Sequence, residues 1–418
     1  MVRFPHISVG ELVAAGEAEL KTGPFGTQLK ASEYTEHGTP VINVRNIGFG
    51  SIKADKLEFI SPTTRERLSS HLLKRGDIVF GRKGAVERHV FIRQEQDGWL
   101  QGSDCLRLRF ASRRVEPLFA SYYFLTEDHQ RWMMNQCSHG ATMASLNQGI
   151  LERIELPLPS LPVQRRIAGI LAAYDELIEN SQRRIKILES MARALYREWF
   201  VHFRFPGHEN TRLVDDLPDG WTRRSLEEVA ELKLGKMLDQ KKNRGELLPY
   251  LANVNVRWGE FDLRDLREMR FEQDEIEAFG LKAGDIVMCE GGEPGRCAVW
   301  KEQLPGMMIQ KAIHRIRCRK NMDSSYLYQS LRHLGQSGHL ATFFTGATIK
   351  HLPREKLAKV KVVVPPAPLL DKFGDITASM EAQIHALQCQ TQNLRRTRDL
   401  LLPRLLSGQI DVEALADA

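Results

Sequence analysis

The chain has 418 residues, of which 42% are hydrophobic and 27% are charged, a composition typical of a globular protein with two or three domains. It contains no run of about 18 apolar residues, and no apolar signal core follows Met1, so a transmembrane helix and a secretory leader are not expected. A net charge of +6 permits a nucleic-acid partner without establishing one. The six cysteines form no CxxC pair and no zinc-like spacing, so we expect reduced thiols in a cytoplasmic protein.

One sequence pattern occurs twice along the chain. Residues 75–79 (RGDIV) return as residues 283–287 (AGDIV), and residues 140–142 (GAT) return as residues 346–348. The shift is 208 residues for the first match and 206 for the second. Because this period far exceeds the roughly 20–50 residues of solenoid repeats, each copy is a domain. The sequence therefore predicts two folding units of one kind, each with its own binding surface.

Taken in order, the elements form two mixed domains that alternate with two long helices. Strands are predicted over residues 72–80 and 106–110, with glycine-rich turns between them. Prolines precede each long helix, at a position that suits a helix start. We predict an α+β protein with two pseudo-symmetric mixed α/β domains. The predicted segments are domain, helix, domain, helix and a short tail, over residues 1–160, 161–203, 204–366, 367–408 and 409–418.

Both long helices carry apolar residues at alternating spacings of four and three. The first series begins at Ile167 and ends at Trp199, and the second begins at Phe373 and ends at Leu405, each position shifted by 206. This heptad pattern is typical of a coiled coil. A helix of about 39 residues is about 60 Å long, and it has no partner helix in its own half of the chain. We predict that the two helices pair with each other in an antiparallel coiled coil.

Further apolar residues lie off this heptad seam. A helix pair needs one apolar stripe, so a second stripe indicates another docked helix or subunit. Contact with the chain's own globular domains is the alternative interpretation. The residues expected to dock a partner subunit are Ile170, Leu177, Met191, Tyr196, Phe200, Leu402 and Leu406.

The chain lacks the common catalytic motifs. It has no GxxxxGK[ST], HExxH, GxSxG or kinase signature, and no Asn/Asp-Pro-Pro-aromatic motif of amino-methyltransferases. The segment 48–50 (GFG) is interpreted as a turn. Pro218-Asp219 followed by Glu231 and Lys233 matches a metal-dependent nuclease pattern loosely, but residues 217–221 have the composition of a turn. We therefore predict no catalytic residue and no metal site.

The predicted loops combine small, amide and basic residues. Arg and Lys suit guanine, Asn and Gln suit adenine, and Ser or Thr suit phosphates. Arg82-Lys83 in the first copy becomes Glu290-Gly291 in the second, as expected of two readers of different sequences. The DNA-binding candidates are Lys21, Thr27, Gln28, Asn43, Arg45, Asn46, Arg82, Lys83 and Thr142 in the first copy, and Lys241, Lys242, Asn243, Arg244, Asn253, Asn255, Arg257, Thr348 and Lys350 in the second.

With these features the chain resembles the specificity subunit of type I restriction–modification systems over nearly its whole length. Residues 156–167 (LPLPSLPVQRRI) look like the start of the family's central helix, and residues 401–410 (LLPRLLSGQI) are similar to its C-terminal signature. Residues 76–79 (GDIV) resemble a strand of its target-recognition domains. The second helix start departs from the pattern, because it lacks the glutamine found at Gln164 in the first.

The resemblance implies a non-catalytic subunit that binds double-stranded DNA. Each target-recognition domain would read one half of a bipartite site, and the helices would fix the gap between the halves. Two modification subunits would dock on the helices and supply adenine methylation from S-adenosylmethionine. Two restriction subunits could add ATP- and Mg²⁺-dependent translocation and cleavage. No cofactor is expected on this chain itself.

Two other functions are compatible with parts of the pattern. One is a coiled-coil adaptor that joins two protein-binding domains, and it predicts no DNA specificity with or without partners. The other is a self-contained nuclease or methyltransferase that has gained such domains, and the missing motifs argue against it. Because the charge excess is slight, we expect the isolated chain to bind DNA weakly and in a salt-sensitive way.

Overall fold

The computed structural model describes residues 4–24, 26, 28–137, 144–239 and 243–414. The chain forms two compact units. Unit 1 consists of Met1–Ser181 with Cys389–Ala418, and unit 2 consists of Gln182–Gln388. Among the described residues, no helix is both long enough and apolar enough to cross a membrane.

Unit 1 is a mixed α/β domain. Its strands are β1 (His6–Ser8), β2 (Ala18–Thr22), β3 (Tyr34–Thr35), β4 (Thr39–Ile42), β5 (Phe49–Gly50), β6 (Glu58–Ile60), β7 (Ile78–Gly81), β8 (His89–Phe91), β9 (Leu100–Gln101), β10 (Cys105–Phe110) and β11 (Glu155–Pro157). Its helices are α1 (Val9–Ala14), α2 (Pro62–Arg67), α3 (Pro117–Phe124), α4 (Glu127–Cys137), α5 (Gln148–Glu152) and the first part of α6 (Leu161–Tyr196). The sheets have the strand orders β2-β10-β7-β8-β5, β3-β6-β4-β9 and β1-β11.

Unit 2 repeats this plan. Its strands are β12 (Leu213–Val214), β13 (Leu217–Pro218), β14 (Thr222–Ser225), β15 (Ala230–Leu234), β16 (Glu246–Leu251), β17 (Arg267–Phe271), β18 (Ile286–Cys289), β19 (Cys297–Val299), β20 (Met308–Ile309), β21 (Ile313–Cys318) and β22 (Lys361–Val364). Its helices are α7 (Leu226–Val229), α8 (Gln273–Phe279), α9 (Ser324–Gln336), α10 (Arg354–Ala358) and the first part of α11 (Ala367–Leu406). The sheets β15-β21-β18-β19, β17-β16-β20 and β14-β22 match β2-β10-β7-β8, β6-β4-β9 and β1-β11, and β12 pairs with β13. The predicted pair of pseudo-symmetric mixed domains is confirmed.

The strand predicted over residues 72–80 begins later, at Ile78. The preceding residues form a turn because Asp77 accepts a hydrogen bond from the Lys74 backbone N–H at 2.8 Å. Gly76 has a φ of 91°, a left-handed conformation that costs glycine least. The turn recurs in unit 2, where Lys282 N–H donates to Asp285 at 2.8 Å and Gly284 has a φ of 87°.

An arginine fork holds this turn to the neighbouring strand of each sheet, β10 in unit 1 and β21 in unit 2. In unit 1, Nε and Nη2 of Arg109 donate to the two carboxylate oxygens of Asp77, both at 2.6 Å. In unit 2, Arg317 binds Asp285 in the same way, with both distances 2.7 Å. Each aspartate is only 1% exposed. The fork supplies the charge and the hydrogen bonds without which a buried carboxylate is strongly unfavourable.

Helices α6 and α11 pair antiparallel, as the heptads predicted. In unit 1, Ile167 and Leu171 near the start of α6 share a core with Leu405 near the end of α11. In unit 2, the ring of Phe373 near the start of α11 lies 5.1 Å from that of Phe200, which follows the end of α6. The start of each helix therefore packs with the end of the other.

The two ends of α6 are held in different ways. At its start the amide of Gln164 is buried and donates to the carbonyls of Arg114 and Pro159, both at 2.8 Å. At its end the regular helix stops at Tyr196, and Arg197–Val201 form a wider π-type turn. The single helix predicted over residues 161–203 thus ends in a widened turn that carries the buried side chains of Trp199 and Phe200.

Replacing one buried aspartate tests the fork. We expect Asp285→Asn to lower the free energy of unfolding by about 3–5 kcal/mol, because Arg317, whose side chain is only 25% exposed, loses its counter-charge. Asp262→Asn is the matched control, since the Arg264 of that pair is 87% exposed, and it should cost less than about 1 kcal/mol. Chemical denaturation measures both. Equal losses in the two variants would show that burial does not govern the strength of the fork.

Two buried histidines predict acid sensitivity. Burial lowers the pKa of His129 to about 3, and burial together with the neighbouring His129 lowers that of His89 to about 3. Between pH 6.5 and 3 the unfolded chain binds protons that the folded chain does not. Stability therefore falls as pH falls through this window, by up to about 1.4 kcal/mol per pH unit for each histidine.

The His129→Phe variant should reduce the slope of stability against pH by the contribution of one histidine. Trp132→Phe is the control, because it changes the same ring cluster without removing a titrating group. It should shift stability equally at every pH. Denaturation midpoints at pH 7.5, 6.0 and 5.0 measure the slopes, and an unchanged slope in His129→Phe would contradict the assignment.

Candidate nucleic-acid interface

A short turn follows the same strand in both units, and we call it the asparagine turn. It comprises residues 43–46 after β4 and residues 252–255 after β16. In unit 1, Oδ1 of Asn46 accepts from the Asn43 backbone N–H at 3.1 Å, and Nδ2 donates to the carbonyls of Lys53 and Asp55. In unit 2, Asn255 makes the same three bonds, with Ala252 N–H and the carbonyls of Asp262 and Asp265. One buried amide thus shapes both turns.

This geometry corrects the expectation for Asn46 and Asn255. Both were candidates for reading adenine, yet Asn46 is 0% and Asn255 is 6% exposed. Both N–H donors of each amide are used by backbone carbonyls of the following segment, so neither side chain is placed to meet a base. The preceding position points outward instead, and it holds Arg45 in unit 1 and Val254 in unit 2.

In unit 1, a carboxylate holds the outward residues of the asparagine turn. Glu58 binds Arg45 at 2.8 Å and accepts from Nδ2 of Asn43 at 2.6 Å. Both candidates are therefore positioned rather than freely moving. The residue at the matching position in unit 2 is Arg267, so the local charge is reversed. The two turns share a backbone but present different chemistry.

A second shared loop follows β7 and β18, and we call it the strand-exit loop, residues 82–84 and 290–292. Leu146 N–H donates to the Arg82 carbonyl at 2.8 Å, and Leu352 N–H donates to the Glu290 carbonyl at the same distance. Gly84 and Gly292 have φ values of 76° and 77°. The same backbone therefore carries Arg82 and Lys83 in unit 1 but Glu290 and Gly291 in unit 2.

The other candidates have varied surroundings. Lys83 lies 3.5 Å from Asp104, and Lys21 is half-buried in β2. Asn243 accepts from the Arg270 backbone N–H at 2.7 Å, and Nδ2 of Asn253 lies 3.4 Å from the Gly291 carbonyl. The exposed candidates include Lys83 and also Gln28, Arg244, Arg257, Thr348 and Lys350. Thr27, Thr142, Lys241 and Lys242 lie outside the described residues.

Sequence reasoning missed an aromatic position beside these loops. Phe49 is 48% exposed, lies under the guanidinium of Arg88 at 5.2 Å and lines a groove of about 870 Å³ that extends to α4. The matching residue, Trp258, is half-buried, and its Nε1 donates to Glu293 at 3.3 Å. The segment 48–50 was interpreted only as a turn. Its alignment with residues 257–259, at a shift of 209, was the available signal.

Comparison with known protein families identifies the family of the chain. The family described as "Type I restriction modification DNA specificity domain" matches twice, over residues 21–190 and 218–387. These two stretches make up most of the chain, and each lies within one copy of the repeated sequence pattern.

The chain belongs to the specificity subunits of type I restriction–modification systems.

Individual relatives agree with this assignment. The specificity subunit of the type I restriction enzyme MjaIX of Methanocaldococcus jannaschii is 26% identical over 315 residues, which cover 70% of this chain and 69% of that protein. The HindI specificity subunit of Haemophilus influenzae is 20% identical over 405 residues, covering 81% and 87%. The crystal structure of the S subunit from M. genitalium has the same fold, with a TM-score of 0.59, 16% identity and coverage of 97% and 96%.

The helices of this specificity subunit expose only part of the predicted docking stripe. Tyr196 and Phe200 are buried in the core of unit 2 and Leu406 in that of unit 1, so the docking expectation is corrected for these three. Ile170 and Leu402 are half-buried against the unit 1 core. Leu177 and Met191 are each 49% exposed. Ile187, also exposed, lies one helical turn before Met191.

The described residues hold no group of three or more His, Cys, Asp or Glu side chains arranged to bind a metal ion. Glu231 of the loose nuclease pattern instead binds the buried Arg315 at 2.6 Å. In the specificity subunit this carboxylate balances a buried charge on β21, the strand that also carries Arg317.

The two roles within the asparagine turn are separable by mutation. Asn46→Ala should lower the free energy of unfolding by about 2–4 kcal/mol, because two carbonyls and one N–H lose their buried partner. Arg45→Ala should change it by less than about 0.5 kcal/mol, because the Arg45 and Glu58 side chains are 47% and 34% exposed, so solvent screens the pair. Urea denaturation compares them. A cost for Arg45→Ala as large as that for Asn46→Ala would contradict the division.

Proposed function

We propose that each unit of this specificity subunit reads one half of a bipartite DNA site. The observation that carries the proposal is that both shared loops keep one backbone and change their outward side chains. Arg82 and Glu290 have equivalent carbonyl hydrogen bonds yet opposite charges. Such loops position a reading group in the same place while altering what it reads.

The outward groups suit different base edges. Arg45, Arg82 and Lys83 of unit 1 are donors suited to guanine O6 and N7 or to phosphates. Unit 2 offers Glu290, whose carboxylate suits the cytosine amino group, and Asn253, whose amide suits adenine. The half-sites read by the two units should therefore differ in sequence.

The paired helices would then fix the number of unread base pairs between the half-sites. The exposed apolar side chains of α6, Leu177, Ile187 and Met191, would receive the modification subunits, of which we propose two. The methyl donor S-adenosylmethionine would bind those subunits. ATP and Mg²⁺ would bind restriction subunits, of which there would also be two. The chain itself would contribute recognition and assembly, without catalysis.

A methylation map of the source genome tests this function directly. Single-molecule sequencing with and without the gene should show loss of adenine methylation at a two-part motif with a fixed gap. Loss at one continuous motif would contradict two readers. Copurification of the chain with a methyltransferase would exclude the adaptor function.

A charge change in one loop tests which half of the methylated motif is read by unit 1. Lys83→Glu, which introduces an acidic residue into the strand-exit loop of unit 1, should alter or abolish methylation through one half of the motif and leave the other half unchanged. Lys320→Glu makes the same charge change on an exposed residue outside both shared loops, and it should leave the motif intact. Equal effects of the two changes would indicate that only overall charge matters.

A further inference from the structure

One carboxylate joins three elements of unit 1. Oδ1 of Asp175 in α6 accepts from Nη1 of Arg398 in α11 at 2.6 Å. Its Oδ2 accepts from the hydroxyl of Tyr122 in α3 at 2.7 Å. Burial and the adjacent carboxylate raise the pKa of Tyr122, which keeps its hydroxyl a donor. The Asp175 and Arg398 side chains are 21% and 28% exposed, so the pair is shielded from much of the solvent.

This ion pair has no counterpart in the other half of the helix pair. The 206-residue shift places Glu381 at the position of Asp175 and Ala192 at the position of Arg398. Glu381 bonds with Ser325 and lies 3.9 Å from Lys301, both in unit 2. The two helices thus share one apolar seam, yet of these matched positions in the described residues, only Asp175 and Arg398 form a charge pair between the helices.

Two helices with the same apolar seam can pair in more than one way. In addition to its partner in the same chain, α6 could pair with α6 of a second copy, and α11 with α11, in an equivalent antiparallel register. In an α6–α6 pair, Asp175 would face Ala192 and lose its guanidinium. In an α11–α11 pair, Arg398 would face Glu381 and keep a carboxylate. When two chains pair α6 with α6 and α11 with α11, Asp175 is therefore the charge that lacks a counter-charge. We call this arrangement the exchanged dimer.

We propose that Asp175 selects the partner of α6, so that it pairs with α11 rather than with α6 of a second copy. The cost to the wrong pair is a half-buried carboxylate without its cation. Arg398 is tolerated in both arrangements, so the selection depends on the aspartate. This role concerns assembly of the chain and does not depend on the proposed DNA recognition.

The chain contains a natural reporter of the exchanged pair. If Arg398 faces Glu381 in an α11–α11 pair, then Cys389 faces residue 390, and the two Cys389 side chains come close together. Cys389 is exposed, Cys318 is half-buried and the other four cysteines are buried. A short bismaleimide should therefore cross-link Cys389 to Cys389 only in the exchanged dimer.

The experiment compares two variants that break the same ion pair. Full-length Asp175→Ala and Arg398→Ala chains are refolded from denaturant over a range of concentrations, and their mass distribution is measured. Asp175→Ala should raise the dimer fraction about tenfold, because Arg398, which binds its neighbour Asp399 in either arrangement, then meets a carboxylate of the facing helix only in the exchanged dimer. Arg398→Ala should stay monomeric like the wild type, because it leaves Asp175 without a cation in both arrangements. The Asp175→Ala dimer should cross-link through Cys389.

Asp175→Asn provides a second test, since its side chain still accepts the Tyr122 hydrogen bond if the alanine variant fails to fold. It should also dimerise more than Arg398→Ala. Glu179→Ala, which breaks the exposed Arg93–Glu179 pair of the same helix, should remain monomeric. The proposal is overturned if Asp175→Ala and Asp175→Asn refold as monomers, if Arg398→Ala dimerises equally, or if the dimers do not cross-link at Cys389.

Discussion

Each unit is organised around an aspartate that is almost completely buried. Asp77 and Asp285 close the turn before the central strand. Each accepts hydrogen bonds from an arginine of the neighbouring strand. A carboxylate in that position is strongly unfavourable unless the fork forms, so the turn, the strand and its neighbour are fixed together. The strand-exit loops begin only a few residues later, at Arg82 and Glu290. Their placement therefore depends on a carboxylate that is buried inside the unit.

The same separation between support and presentation recurs in the asparagine turn. Asn46 and Asn255 are identical in the two copies because one amide must satisfy two carbonyls and one N–H in a buried corner. Arg45 and Val254 face solvent from the residue before, where the fold places little restriction on the side chain. Residues alike in the two copies thus maintain the scaffold, while the residues that differ are the candidates for recognition.

The architecture could be predicted from the sequence because its main features leave local patterns that occur twice. One is an Asp that follows a left-handed glycine, and the other is the heptad series of apolar residues in each long helix. The site was less accessible. Asn46 was predicted to contact a base because the sequence does not show whether the amide of a loop asparagine points into the core or toward solvent. Tyr196 and Phe200 looked like docking residues because periodicity identifies an apolar face without identifying what covers it. The widened turn at Arg197–Val201, which directs Trp199 and Phe200 into the unit 2 core, has no comparable signature.

The composition of unit 1 has a consequence for synthesis of the chain. Its core around Phe119 and Ile167 is completed by Leu405, Leu406 and Val412, whereas unit 2 is one continuous segment. At about 5–20 residues per second, the ribosome makes Ile167 on the order of tens of seconds before it makes Leu405. The part of the protein that is translated first is therefore finished last. During that interval Phe119 and its neighbours lack their final cover, while unit 2 emerges with all its residues.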